Sequence, residues 1–476
     1  MKRALSRKNL WDKLPRGIKS VVGSALQYVP LEYLIGRQFK ITLRFLEDAQ
    51  WWPIERSRDY QLVELRRICK IAYERTSFYR RSFDAAGFHP QDLGKVEDIR
   101  LLPTIDRATI RENLADMLAS SIKSTGIDYI STNGTSGEPL RFYIGSDRHP
   151  VEFAYIAASW RRVGFTPGAT LAVLKGKLVP PDRTGLRHEY DPALNHHYYS
   201  SFHLTEENMH RYLEHIANIG PCYLHVNPST VAILAQFARI SGRELPHNVL
   251  GVIAESEIVY ESQRELVETV FGCKYFSCYG HTEKLIAASE CELSKNYHIW
   301  PTYGYFELLD SHGKPVDTSG QYGEIVGTGF INSVVPFIRY RTGDYAMYVG
   351  DRCSHCNREH TLISKIKGHR IQEVLVAKDG SLITHSLVTS RHDDTFDHIL
   401  RFQFFQDTPG YATLRLVPMN GFMAMDVEKI TENIHKILVG RIEFDVKIVE
   451  SIPLSGNAKF IYVDQRIPGI RIDMGI

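Results

Sequence analysis

With 476 residues, 43% hydrophobic, 11% aromatic and 24% charged, the chain is too long for one ordinary core and too apolar to be disordered. Two or three folding units are therefore expected. A net charge of +2 gives no reason to expect nucleic acid as a partner. No run of about eighteen apolar residues is present to span a membrane.

The charge is uneven. Lys2, Arg3, Arg7, Lys8, Lys13, Arg16, Lys19, Arg37, Lys40 and Arg44 stand against Asp12 and Glu32, so residues 1–45 carry +8 and the remainder −6. The stretch is not a secretory signal, because apolar pieces such as Val21–Leu26 are short and no small-residue cleavage site is present after them. The reading is a solvated basic arm over residues 1–50, packed loosely on the main domain. A basic, partly amphipathic segment over 1–45 is also compatible with peripheral contact to an anionic membrane surface. Seven cysteines without a signal peptide point to a reducing cytoplasm, where close cysteine pairs bind metal more often than they form disulfides.

In chain order, residues 58–120 read as helical. Leu62, Leu65, Ile68, Ile71 and Ala72 recur at helical spacing, and Asp106 is placed to cap a helix through Glu112. From about 125 to 350, strand-like runs at 169–174, 252–254 and 275–277 alternate with helical stretches at 205–218, 228–240 and 260–270, the pattern of α/β layers. No internal repeat is visible. Near residue 370 the texture changes. A strand from Glu373 is succeeded by the turn Lys378–Gly380, strands at 402–405 and 413–417, a helix at 426–438 and a strand from Phe444. That is a small α+β unit, and the boundary falls at Gly368, which divides the chain into residues 1–50, 51–368 and 369–476.

The most informative stretch is Ser131-Thr132-Asn133-Gly134-Thr135-Ser136-Gly137-Glu138-Pro139, between two strand-like runs. Small hydroxyl and glycine residues at this density expose backbone N–H groups and hydroxyl donors, which suit polyphosphate oxygens. It is not a Walker A loop, since it lacks the Gly-Lys-Ser/Thr ending. Alone, such a loop is an ordinary turn. The order T-x-G-T-S-G-x-P resembles the phosphate loop of the adenylate-forming superfamily, and two further signatures come next in that family's order. Tyr279-Gly280-His281-Thr282-Glu283 is similar to its Y-G-x-T-E motif, and Tyr340-Arg341-Thr342-Gly343-Asp344 to its Y-R-T-G-D motif. Thr76–Arg80, Leu101–Arg107, Ser256-Glu257 before Gln263-Arg264-Glu265, and Ile338-Arg339-Tyr340 resemble the phenylacetate–CoA ligase branch, closest to its capsular polysaccharide members.

The resemblance covers residues 50–470. It implies an α/β fold, with a large N-terminal adenylate-forming domain of layered sheets and a small, mobile C-terminal α+β domain. It also implies ATP and Mg2+ as reactants. Thr132, Asn133, Gly134, Ser136, Gly137, Glu257, Tyr279, Gly280, His281 and Thr282 would bind the nucleotide, and Thr135 would act on its phosphates. Glu283 would hold magnesium, a hard cation suited to carboxylate. Asp344 would accept from both ribose hydroxyls, two charge-assisted hydrogen bonds from one diol.

Gly368-His369-Arg370-Ile371-Gln372-Glu373 resembles the family's hinge segment. Its nucleotide contact would come from Arg370 or His369, and Glu373 would be the pivot in place of the usual Asp. Lys459 stands where the family carries its catalytic Lys, although Ala458 replaces the usual preceding Gly. That Lys bridges the substrate carboxylate and the α-phosphate as charge develops.

Cys291 with His298, and Cys353 with Cys356 in a C-x2-C turn, supply four ligands of the kind a closed structural zinc site uses. His355 or His360 could replace His298, since spacing alone does not choose among them. The resemblance adds Cys and His at matching points around Y-R-T-G-D.

The reaction so implied is attack of a carboxylate on the α-phosphorus of ATP, with the acid held between Tyr279 and the helix near Asn227-Pro228-Ser229. The acceptor is open. The named family implies coenzyme A, its capsule branch an amine acceptor on a sugar. A nucleotide-binding protein without turnover is a third reading, prompted by Ala458 and Glu373. Tyr223, Phe276 and Tyr279 either line an aryl pocket or belong to the core.

Overall fold

The computed structural model describes residues 22, 23, 26, 29, 31–121, 126–131, 140–175, 177, 179–201, 204, 206–242, 246–367, 374–378, 382–384, 398–438, 440–453 and 461–468. The basic segment is not uniformly an arm. Short helix α1 (Leu31–Ile35) leads into α2 (Arg37–Ala49), which buries Phe39, Leu43, Leu46 and Ala49. That stripe packs on Ala154, Tyr155 and Ala157 of α6 (Arg148–Trp160). The expected loose packing is therefore corrected for residues 37–49. The apolar stripe recurs at helical spacing while Arg37, Lys40 and Arg44 lie between its positions.

The helical region resolves into α3 (Ile54–Arg75), α4 (Ser77–Ala85) and α5 (Arg107–Asn113), separated by tight turns at Pro90–Asp92 and Val96–Leu101. Proline cannot supply a helical N–H, which rules out a single continuous helix. Helix α3 buries Leu65, Ile68, Cys69 and Ala72 along one face. Thr76 caps α4 by accepting from the Tyr79 N–H at 3.2 Å. Asp106 caps α5 as expected, accepting from the Thr109 N–H at 2.8 Å and its hydroxyl at 2.7 Å. Those two bonds hold the Asp106 carboxyl below its usual range.

A hairpin of β1 (Ile127–Ser131) and β2 (Arg141–Gly145) flanks the phosphate-loop segment. The large sheet contains β3 (Leu171–Leu174), β4 (His188–Asp191), β5 (His196–Tyr199), β6 (Cys222–Val226), β7 (Val249–Glu255), β8 (Lys274–Gly280), β9 (Ala287–Glu290) and β10 (Tyr297–Ile299). It continues with β11 (Gly304–Leu309), β12 (Tyr322–Gly329), β13 (Tyr340–Gly350) and β14 (Leu362–Lys367). Its order is β11-β12-β13-β14-β10-β9-β8-β7-β6-β3-β5-β4.

Strands β5, β3, β6, β7 and β8 run parallel, and the others pair antiparallel. Helices α7 (Glu206–Asn218), α8 (Pro228–Ser241) and α9 (Glu261–Phe271) supply the crossovers that parallel pairing requires. Strand β3 is buried along its whole length, which accounts for its unbroken apolar run. This arrangement brings the carboxyl ends of β3, β6, β7 and β8 to one edge, where open α/β sheets bind ligands.

A separate hairpin, β15 (Val374–Val376) with β16 (Leu382–Thr384), precedes a four-stranded sheet. That sheet holds β17 (Ile399–Thr408), β18 (Tyr411–Pro418), β19 (Glu443–Ile448) and β20 (Val463–Gln465) in the order β19-β18-β17-β20. Helix α10 (Ala424–Leu438) supplies Ile430, Ile434 and Leu438 to a core with Phe404, Leu414 and Leu416. This unit touches the large sheet's helices. The Tyr462 hydroxyl accepts from Gln263 Nε2 at 2.7 Å, and Glu206 Oε1 accepts from the Asn420 N–H at 2.5 Å. Among the described residues no helix is long and apolar enough to cross a membrane.

Candidate active site

The Tyr279–Glu283 segment leaves the carboxyl end of β8, and the Tyr340–Asp344 segment begins β13. Two hydrogen bonds join them. The Tyr279 hydroxyl donates to Asp344 Oδ2 at 2.8 Å, and the Tyr340 hydroxyl donates to Glu283 Oε1 at 3.3 Å. Glu283 is 5% exposed. Burial raises its pKa, opposed by its own backbone N–H and the Arg107 cation. A carboxylate buried at this cost fits a role against a cation.

Arg107 also hydrogen-bonds the Tyr340 hydroxyl. It lies in the Leu101–Arg107 stretch, where the sequence alone suggests no role for it. That stretch runs beside β13: the Ile105 N–H donates to the Arg339 carbonyl at 3.1 Å, and the Arg341 N–H to the Ile105 carbonyl at 2.8 Å. Arg339 fixes the alignment. Its Nε and Nη2 each donate to Glu307 at 3.0 Å, and its Nη1 to the Leu102 carbonyl at 2.5 Å. The Tyr79 hydroxyl braces the approach to β13, donating to the Pro336 carbonyl at 2.9 Å and accepting from the Ile338 N–H at 3.2 Å.

The loop after Glu283 lies close on β11 and β12. A Cβ at Gly304 would stand 2.0 Å from the Leu285 carbonyl oxygen, and one at Gly329 2.7 Å from Leu285 Cδ2. At Gly304 the opposing atom is backbone, so only glycine admits this approach there. Lys284 has φ 60, and Ser256, after β7 and before Glu257, has φ 76, both in the left-handed region that L-residues rarely occupy. Strain of this kind collects at functional sites. The His281 ring nitrogens have no hydrogen-bond partner among the described residues, and burial lowers its pKa to about 3. Gly280 closes β8, and Thr282 lies in the same turn. Asn227 begins α8 at the carboxyl end of β6, 2% exposed, with its Oδ1 unpartnered among the described residues.

Tyr223 and Phe276 belong to a buried cluster with Trp160, Phe165 and Ile253, so they are core and not an aryl pocket. The positions expected to act from Thr132, Asn133, Gly134, Thr135, Ser136, Gly137, His369, Arg370, Glu373 and Lys459 lie outside the described residues.

Cys291, His298, Cys353 and Cys356 bring their ligand atoms within 4.8 Å of one another. Cys291 Sγ and Cys353 Sγ are 3.9 Å apart, and Cys356 Sγ is 3.7 Å from His298 Nε2. A tetrahedral zinc with bonds of about 2.3 Å to sulfur sets sulfur corners about 3.8 Å apart, so the donor set fits. Antiparallel pairing of β10 with β14, where His298 faces Leu362, carries His298 to the cluster. His355 and His360 are not part of it.

Buried Arg162 sits near Cys291 and Cys356, with Nε and Nη2 unpartnered among the described residues. Three thiolates around a dication sum to −1, which that guanidinium would balance. A second grouping, His188, His197 and His215, lies at the β4 edge, with His188 Nε2 and His197 Nδ1 3.0 Å apart.

This geometry can be set beside known proteins. Residues 375–466 match the CapK C-terminal domain. Phenylacetate-coenzyme A ligase of Thermus thermophilus is 27% identical over 71% of this chain and 75% of its own. Protein CapK of Staphylococcus aureus is 21% identical over 76% and 79%. Among solved structures, 2-hydroxyisobutyryl-CoA ligase in the postadenylation state superimposes with a TM-score of 0.66 at 20% identity, covering 88% of this chain and 93% of that one.

The two-unit α/β fold, with Tyr279–Glu283 and Tyr340–Asp344 joined by hydrogen bonds, is the fold shared with that CoA ligase structure. In sequence the chain is similar to phenylacetate-coenzyme A ligases and to protein CapK, and residues 375–466 match the CapK C-terminal domain.

Proposed function

We propose that the protein is an AMP-forming ligase that activates a carboxylic acid with MgATP to an acyl-adenylate and passes the acyl group to coenzyme A. The observation that carries this reading is the pair of hydrogen bonds, Tyr279 to Asp344 and Tyr340 to Glu283, at the mouth of the parallel strands. A carboxylate oxygen bonds to the α-phosphorus, the bond from that phosphorus to the β-bridging oxygen breaks, and pyrophosphate leaves. The thiol of coenzyme A then bonds to the acyl carbon, AMP leaves, and the thiol proton is released. In-line displacement asks the protein for alignment and charge neutralisation, not a covalent intermediate.

Asp344 would hold the ribose hydroxyls, with its position fixed by Tyr279. Glu283 would hold magnesium, which neutralises phosphate charge. Thr132, Thr135, Ser136 and Lys459 would meet the phosphates, and the unit after Gly368 would turn about Arg370–Glu373 between the two half-reactions. The Cys291, His298, Cys353 and Cys356 site would hold zinc as a structural pin under β13 and β14, taking no part in the chemistry. A second reading, transfer to the amine of a sugar, is favoured by the CapK match over residues 375–466.

The test is carboxylate-dependent exchange of labelled pyrophosphate into ATP, then product analysis with coenzyme A or an amino sugar. Exchange lost in Glu283→Ala and Lys459→Ala, with a thioester product, is the expected result. An amide product moves the conclusion to the second reading. Nucleotide binding without exchange for any acid refutes activation.

A further inference from the structure

Lys175 comes directly after β3, His225 is the penultimate residue of β6, and Glu255 closes β7. These strands are neighbours in the parallel part of the sheet, so the three side chains rise from one edge and one face. They gather on Glu255, whose two carboxylate oxygens face Lys175 and His225 separately. Lys175 Nζ is 2.9 Å from Glu255 Oε2 and 3.3 Å from His225 Nε2, and His225 Nε2 is 2.9 Å from Glu255 Oε1. The face beneath is apolar core, built from Trp160, Val173, Tyr223, Ile253 and Phe276. The triad itself still meets open space, with side-chain exposures of 23% for Lys175, 17% for His225 and 23% for Glu255.

Its location is the informative part. Glu255 pairs in register with Cys278, the residue before Tyr279, and stands two residues before Glu257. The triad therefore adjoins the segment that would hold the acyl-adenylate. A charged network on a deep apolar face gives no stability advantage over apolar side chains of the same volume, so its placement calls for another reason.

Burial opposes the Glu255 charge, but Lys175 and His225 outweigh it and hold the carboxyl below its usual range. Burial and the Lys175 cation lower His225, leaving a neutral ring. Ammonium, carboxylate and neutral imidazole sum to no net charge. Lys175 has three N–H donors and gives one to Glu255 Oε2, while the neutral His225 ring donates its Nε2 proton to Glu255 Oε1 and so accepts nothing from Lys175 through that atom. A neutral group that both accepts and donates matches what is left: it accepts from Lys175 and donates to Glu255. An aryl or alkyl chain in the same place would strip water from the triad and return nothing.

We propose that Lys175, His225 and Glu255 form the recognition subsite for a carboxylic acid that carries a neutral hydrogen-bonding group, a hydroxyl or an amide, beyond its carboxylate. This rests on the carboxylate-activating reading above. It assigns the substrate class that the aromatic residues left open, because Tyr223 and Phe276 are used in the core while the open rim beside Tyr279 is polar.

The experiment is pyrophosphate exchange with the full chain and matched acid pairs of one carbon skeleton. In each pair, one member carries a hydroxyl or carboxamide and the other is plain hydrocarbon. The expected result is a preference of about a hundredfold or more in kcat/KM for the polar member, as for sites built to bond a substrate hydroxyl. Lys175→Met and Glu255→Gln should each bring that ratio to within about tenfold. Measurable exchange with the plain acid then shows that the variant is folded. Comparing hydroxyl with carboxamide pairs decides between those two groups. Equal use of both members by the unaltered protein, or a ratio unmoved in both variants, overturns the subsite while leaving activation standing. No exchange with any acid, while AMP still binds, overturns activation and the subsite together.

Discussion

Replacing Arg339 with Met tests whether one buried cation sets the geometry of the Tyr340–Asp344 segment. The side chain is 7% exposed, and its partner Glu307 is 1% exposed. The substitution removes two donors to Glu307 and those to the Leu102 and Arg100 carbonyls. Breaking a buried pair from one side costs about 3–5 kcal/mol, because the remaining charge is left buried and uncompensated. Arg100 Nε lies 3.5 Å from Glu307 and would recover part of this, so the lower figure, about 3 kcal/mol, is expected. That corresponds to a factor of about 160 in the folding equilibrium of this unit.

Urea unfolding monitored by tryptophan fluorescence measures it, and the double variant Arg339→Met with Glu307→Leu supplies the control. The double variant should lie within about 1–2 kcal/mol of the unaltered protein, since apolar replacements of both partners cost little. A single variant within about 1 kcal/mol of the unaltered protein, or a double variant no better than the single, would refute the argument.

Three further outcomes are expected from the same structure. Gly304→Ala places a methyl group against the Leu285 carbonyl oxygen, so the loop carrying Glu283 must shift; a rise in the KM for ATP of at least about tenfold, with a lowered Tm, is expected. Metal analysis of the purified full chain should find one zinc per chain, lost in Cys353→Ser and retained in His215→Ala, whereas zinc that depends on His215 would point to the histidine grouping instead. His196 is 9% exposed and is held at about 3 by burial and by neighbouring His225 and His197. The unfolded chain takes up a proton near pH 6.5 and the folded one does not, so stability present above pH 6.5 is lost as pH falls toward 3. The loss is about 2 kcal/mol by pH 5, and His196→Gln should flatten that part of the Tm–pH curve.

Much of the fold was legible because its cues are local. The α7, α8 and α9 stretches announce themselves by helical spacing, and β7 and β8 by short β-branched and aromatic runs. The two pentapeptides were legible for the same reason, since each holds its chemistry within five consecutive residues. Helix α2 was not, because the basic excess of residues 1–45 as a whole hides the Phe39, Leu43 and Leu46 stripe. Choosing among His298, His355 and His360 required the pairing of β10 with β14, a contact between segments more than sixty residues apart. Gly304 reads as an ordinary strand glycine until the Leu285 carbonyl is known to lie against it. Lys175 follows β3 while His225 and Glu255 lie on β6 and β7, so only the parallel order of these strands makes them one group.

The two motif segments are coupled and do not merely lie near each other. Tyr279 belongs to the β8 segment but is tethered to Asp344, and Tyr340 belongs to β13 but is tethered to Glu283. Each segment thus contributes the tyrosine that orients the other's carboxylate. A displacement of β13 would move Asp344 and release the brace on Glu283 at once, so under the roles proposed for them the ribose and phosphate ends of a nucleotide would lose their partners together. Arg339, Arg107 and Tyr79, none of which need touch substrate, hold that strand in place through Glu307, Tyr340 and the Pro336 carbonyl. The buried polar bonding behind β13 suits the role proposed for Asp344, which needs a strand that cannot slide: directional bonds fix a strand along its length where apolar packing alone does not.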